Sequence, residues 1–197
     1  TQLVSALAHS CKGVFGRLQM TPDIMPTDIT GFTLINTQTH ESEFRKGAAF
    51  CNFLLADEIN RSSPKSQSAL LEIMEEQQVT MDGITYPLPK PFMVLATQNP
   101  VETYGTYHLP EAQMDRFMFK LVVGFPNMEE LASIVNMTQK TMEEQANAVL
   151  TGEELLAMRE TAKQIPVIDE VFEYAMKLVT ATHPEVEGAS DFTKQYI

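Results

Sequence analysis

Apolar positions along the chain switch between two periods. Leu3, Val4, Leu7 and Ala8 recur at helical spacing and predict a helix over 1–11. Gly13 ends it, and Val14 to Met20 alternates loosely, as a strand does. Thr21-Pro22-Asp23 and Pro26-Thr27-Asp28 are turn-forming clusters. No period stands out between Ile29 and Phe50, where Gly31, Asn36, Gly47 and many threonines predict loops or a short hairpin projecting from the core. Phe53-Leu54-Leu55-Ala56 is a short unbroken apolar run, the pattern of a strand buried on both faces. The helical period returns from Pro64 to Gln77, with Ala69, Leu70, Ile73 and Met74 as its buried stripe and Glu72, Glu75 and Glu76 facing water. Asp82-Gly83 between Val79–Met81 and Ile84–Tyr86 predicts a tight hairpin. Phe92 to Thr97 is a second buried-strand candidate, ending in the polar pair Gln98-Asn99. A short helix over 110–116 and a last strand over 119–123 follow.

Beyond Gly124-Phe125-Pro126 the pattern is helical throughout. Asn127 with Glu130, and Thr151 with Glu154, have the spacing of capping boxes. Ile168, Val171, Phe172, Ala175, Leu178, Val179 and Thr182 form a sustained helical face, stopped by Pro184. Strands alternating with helices and then helices alone predict an α/β core over 1–125 and a small helical domain over 126–197.

Composition narrows the partners. The 197 residues carry a net charge of −12, which argues against a nucleic-acid backbone or an anionic membrane surface as the main partner. No apolar run reaches membrane-spanning length, so direct membrane insertion is not expected. Cys11 and Cys51 lie far apart and read as reduced thiols of a cytoplasmic protein. His9, His40, His108 and His183 are scattered without metal-ligand spacing.

The chemistry concentrates where the apolar run from Phe53 meets Asp57-Glu58. Two adjacent acids are costly to bury, but at the carboxyl end of a parallel strand they face a ligand crevice. There one carboxylate can hold Mg²⁺ and the next can polarise an attacking water, which is the logic of the Walker B strand of a P-loop ATPase. The plainer alternative is a strand that stops at a solvated acidic turn.

Five segments add to this. Thr21-Pro22-Asp23, Pro26 to Gly31, Leu54-Leu55-Ala56-Asp57-Glu58-Ile59-Asn60-Arg61, Leu95-Ala96-Thr97-Gln98-Asn99-Pro100, and Leu109-Pro110-Glu111-Ala112-Gln113-Met114-Asp115-Arg116-Phe117 together resemble the MoxR family of AAA+ ATPases, in its order and spacing and over nearly the whole chain. The resemblance implies a P-loop core of parallel sheet flanked by helices, followed by an all-helical lid. It implies an ATPase that binds ATP and Mg²⁺ between the subunits of a homo-oligomeric ring, a hexamer, and remodels or matures protein clients, among them von Willebrand factor A domain proteins. Within it, Asp57 corresponds to the Mg²⁺ holder and Glu58 to the base that activates water. Asn99 corresponds to the sensor that touches the γ-phosphate and the water, and Arg116 to an arginine finger offered to the neighbouring subunit. An isolated Asn before Pro also forms turns, and a helix-end Arg also pairs with Asp115 or Glu111. Arg61 could reach a neighbour or make a local salt bridge. Residues 28–50 correspond to the family's insert in its second helix.

Gly-x-x-x-x-Gly-Lys-Thr does not occur in the sequence. The family's first helix follows that Lys, which makes Thr1 the expected Mg²⁺-coordinating hydroxyl. The stretch from Ala189 to Ile197 resembles what precedes the family's second sensor, whose Arg is also missing. Truncation at both ends is the simplest expectation, with ATPase activity belonging to the longer protein. The rival is a scaffold that keeps the fold without hydrolysing ATP.

Overall fold

The computed structural model describes residues 2–99, 105–139, 146–186 and 189–196. Helix α1 (Gln2–Ser10) is followed by strand β1 (Phe15–Gln19), and the short helix α2 (Pro26–Thr30) leads into strands β2 (Gly31–Ile35) and β3 (Ser42–Lys46). Strand β4 (Phe53–Asp57), a 3₁₀ turn at Ile59–Arg61 and helix α3 (Pro64–Glu76) come next. Strands β5 (Gln78–Met81), β6 (Ile84–Pro87) and β7 (Met93–Ala96) complete the strands among the described residues. The remaining elements are helices: α4 (Glu111–Met114), α5 (Met128–Gln139), α6 (Gly152–Lys163), α7 (Asp169–Ala181) and α8 (Asp191–Tyr196).

The apolar run occupies the position its composition predicts. β4 is the middle of a parallel sheet ordered β1-β4-β7, with Gln19 level with Asp57 and Ala96 level with Ala56. Its alternating side chains divide the core in two. Leu54 and Ala56 pack with Leu70, Leu71 and Ile73 of α3, while Phe53 and Leu55 pack with Val4, Ala8 and Cys11 at α1. The sheet is thus flanked by a helix on each face. Each buried Leu or Phe contributes about 1.5–3 kcal/mol, so β4 is anchored from both sides and its carboxyl end is a firm platform.

Local chemistry sets the remaining boundaries. Ser63 caps α3 by accepting a hydrogen bond from the Ser66 amide at 3.3 Å, and Pro64 takes the first turn. Asp82 and Gly83, both at positive φ, close the β5–β6 hairpin. Both capping boxes form: the Glu130 amide donates to Asn127 Oδ1 at 2.9 Å, and the Glu154 amide to Thr151 Oγ1 at 3.2 Å. The expected projection between Ile29 and Phe50 is the antiparallel β2–β3 hairpin. Phe44 of β3 stacks on Tyr86 of β6 with ring centroids 4.1 Å apart, which ties the two hairpins together.

One expectation needs correction. Residues 119–123 form no strand: a ladder needs a neighbour to exchange N–H and C=O bonds, no described strand pairs with this segment, and Phe119, Leu121, Val122 and Val123 stay 74% to 92% exposed. Helix α1 forms as expected and buries Val4, Ala8 and then Cys11, leaving Leu3 and Leu7 exposed. The expected helical face forms as α7, with Val171, Phe172, Leu178 and Val179 exposed.

The chain divides into two compact units, Thr1–Leu156 and Ala157–Ile197. Every described element after Pro126 is helical.

Candidate active site

Because β1, β4 and β7 run parallel, their carboxyl ends open on one side of the sheet. Five polar side chains meet there: Arg17 and Gln19 from β1, Asp57 at the end of β4 and Glu58 just past it, and Thr97 just past β7. Thr97 Oγ1 donates to Asp57 Oδ1 at 2.6 Å. Arg17 donates to the other carboxylate oxygen from Nη2 at 2.7 Å and from Nε at 3.2 Å. The Thr97 hydrogen bond first, and the Arg17 guanidinium second, hold the Asp57 carboxyl below the ordinary carboxylate range, so it is ionised at neutral pH.

Glu58 is presented differently. Its backbone adopts a left-handed conformation, φ 59°, which turns the chain sharply as the strand ends. Glu58 Oε2 accepts from Gln19 Nε2 at 2.8 Å and from Arg61 Nη1 at 3.1 Å. The Glu58 amide donates to Thr97 Oγ1 at 2.8 Å, so one hydroxyl fixes both acids. Arg61 thus makes the local salt bridge.

Asn99 lies two residues beyond Thr97, its main-chain oxygen held by Asn60 Nδ2 at 3.2 Å. Sensor candidate and acids therefore sit at one end of the sheet. Arg116 does not join them. It pairs with Glu75 at the far end of α3, Nη1 to Oε2 3.1 Å, beside a shallow cavity of about 250 Å³ lined also by Met74 and Phe92. Its partner is neither Asp115 nor Glu111. Thr1 lies outside the described residues. No cluster of three or more His, Cys, Asp or Glu suited to a metal occurs among the described residues, and Cys11 and Cys51 are free, buried thiols.

Arg17, Gln19 and Thr97 escaped the sequence reading. Their signal was positional: each stands at or near the carboxyl end of a strand flanking β4. That the strands pair in this order is what brings them to the acids.

A family model for ATPases associated with various cellular activities (AAA) matches residues 1–119. The chain is 44% identical over 192 residues to the chaperone MoxR1 of Mycobacterium tuberculosis, covering 97% of this chain and 51% of that protein. The chain belongs to the MoxR family of AAA+ ATPases. It is also 46% identical over 190 residues to the uncharacterised protein YeaC of Bacillus subtilis, covering 95% of this chain and 59% of that one. The crystal structure of a "putative ATPase" from Cytophaga hutchinsonii superposes with a TM-score of 0.81 at 42% identity, over 91% of this chain and 55% of that one. The chain thus spans somewhat more than half the length of these relatives. In this MoxR-family chain, the α/β sheet flanked by helices is the AAA+ core. Among the described residues, no helix is long and apolar enough to cross a membrane.

Proposed function

We propose that the protein containing this chain hydrolyses ATP with Mg²⁺ and uses the reaction to remodel protein partners, as a cytoplasmic chaperone. The observation that carries this is the pairing of an ionised Asp57 with an adjacent, separately held Glu58 at the carboxyl end of the central strand.

Asp57 suits a Mg²⁺ site. A carboxylate offers about four acceptor positions, and Thr97 and Arg17 leave room for a metal-bound water. Mg²⁺ binds through one or two carboxylates, the substrate phosphates and retained waters, and when bound it neutralises charge on the β- and γ-phosphates. Thr1 is assigned the second protein oxygen. Glu58 accepts the proton of the attacking water as it adds to the γ-phosphorus. The bonds from Gln19 and Arg61 both fall on its Oε2, and a carboxylate has further acceptor positions for that water. The Asn99 amide can donate to a phosphate oxygen and accept from the water together. Arg116, engaged with Glu75 away from its own acids, is assigned to the neighbour's γ-phosphate in a hexameric ring. Residues 126–197 are assigned to the helical lid. The MoxR1 relative is named a chaperone, which supports protein clients, and proteins with von Willebrand factor A domains are the candidate class.

The test is phosphate release by the whole protein with and without Mg²⁺. Magnesium-dependent release that Asp57→Asn abolishes supports the reading. Equal release by Asp57→Asn contradicts it, and no release by the wild type points to the scaffold.

A further inference from the structure

We infer that Asn60 is a positioning residue for hydrolysis, setting the place of Asn99 relative to Glu58; the inference rests on the ATPase reading above. Three successive residues of the acidic turn hold three points of the segment leaving β7. The Glu58 amide donates to Thr97 Oγ1 at 2.8 Å, the Ile59 amide to the Thr97 carbonyl at 2.9 Å, and Asn60 Nδ2 to the Asn99 carbonyl at 3.2 Å. Only the last reaches Asn99 itself. Asn60 also accepts from the Tyr107 amide through its own carbonyl at 2.7 Å. One residue therefore grips both ends of the stretch between Asn99 and Tyr107. Gln67 of α3 backs it, donating from Nε2 to the carbonyls of Tyr107 at 2.9 Å and Ile59 at 3.1 Å.

The Asn60 side chain is ill suited to a purely structural role. It is 2% exposed, and its Oδ1 is buried with no hydrogen-bond partner among the described residues. A buried acceptor left unpaired costs stability, and an apolar side chain of the same shape avoids that cost. What the amide contributes in return is its single donated bond to Asn99. The arrangement trades stability for the placement of a loop that carries a reacting-site amide, and small misplacements there are expensive in rate.

The test separates stability from rate in the whole protein. Asn60→Leu keeps the volume and removes both the orphaned acceptor and the donor. Its melting temperature should equal or exceed that of the wild type and its affinity for ATP should be unchanged, while kcat falls by about ten- to a hundredfold. In an Asn99→Ala background the same change should cost no further rate, because the side chain acts through Asn99. Asn60→Ala also removes the donor and introduces no titratable group, and should show the same loss of kcat, which decides the matter if the Leu variant does not fold. Wild-type kcat in either folded variant overturns the inference. So does a loss of rate that tracks the loss of stability, an additive loss in the Asn99→Ala background, or failure of both variants to fold. Absence of hydrolysis by the wild type would bring down the ATPase reading, and this inference with it.

Discussion

Thr97 donates a 2.6 Å hydrogen bond to Asp57 from the strand next door, and the same hydroxyl accepts from the Glu58 amide. With Arg17 it holds the Asp57 pKa below that of an ordinary carboxyl. A depressed carboxyl stabilises the fold fully above its unfolded value, about 3.9, and ceases to do so as pH falls through the folded value. Thr97→Val should therefore raise the Asp57 pKa, visible in a carboxyl-carbon NMR titration. The acid-dependent part of the stability gap between variant and wild type should close as pH drops below about 4. An unmoved titration would remove Thr97 from the site.

Arg116 rests on Glu75 at 3.1 Å. Both side chains are well exposed, so the pair contributes little to stability. Arg116→Ala should leave the melting temperature and ATP affinity nearly unchanged and reduce hydrolysis about a thousandfold or more. Mixed with Glu58→Gln subunits, it should regain activity at interfaces where an intact Arg116 meets an intact Glu58. Recovery of nothing in assemblies shown to exchange subunits would contradict a finger acting in trans.

Gly31, at φ +102°, and Gly47 face each other where the β2–β3 hairpin joins the core. A Cβ on Gly31 would collide with the Arg45 carbonyl, and one on Gly47 with the Gly31 amide and the Ile29 carbonyl. Backbone cannot yield as a side-chain tip can, so Gly31→Ala and Gly47→Ala should each destabilise by about 1–3 kcal/mol, read by chemical denaturation. A neutral substitution would show that the hairpin root is loose.

Much of this was legible in the chain itself. The unbroken run Phe53 to Ala56 suits a doubly covered strand and forms one, and it ends in the acids it was expected to present. The hairpin at Asp82-Gly83 and both capping boxes follow from local chemistry, which pattern reads well. What pattern cannot read is pairing. Residues 119–123 have a strand's composition and no ladder neighbour among the described strands, and so form no strand and keep their side chains exposed. Arg17, Gln19 and Thr97 look like ordinary strand-end polar residues until the order β1-β4-β7 sets them around Asp57 and Glu58. The Arg116 partner was missed for the same reason, since Glu75 comes from a helix far earlier in the chain.

Those exposed side chains bear on residues 1–197 expressed by themselves. Met118, Phe119, Leu121, Val122, Val123 and Phe125 are all at least 74% exposed, and the sequence holds no phosphate-cradling Gly-Lys loop. Such apolar chain invites association. The 197 residues alone should neither bind ATP measurably in a calorimetric titration nor sediment as a stable monomer. Micromolar binding by a monomer with a cooperative melt would contradict this.

The division of roles between two neighbouring acids is tested most directly by Glu58→Gln in the whole protein, with ATP affinity and hydrolysis measured side by side. Asp57 keeps its bonds to Thr97 and Arg17 in this variant, and the new side-chain amide can still accept from Gln19 through its oxygen, so the nucleotide should bind as in the wild type. Without the base, hydrolysis should fall by about 10²–10⁴. Binding and hydrolysis lost together, or hydrolysis retained, would contradict the account.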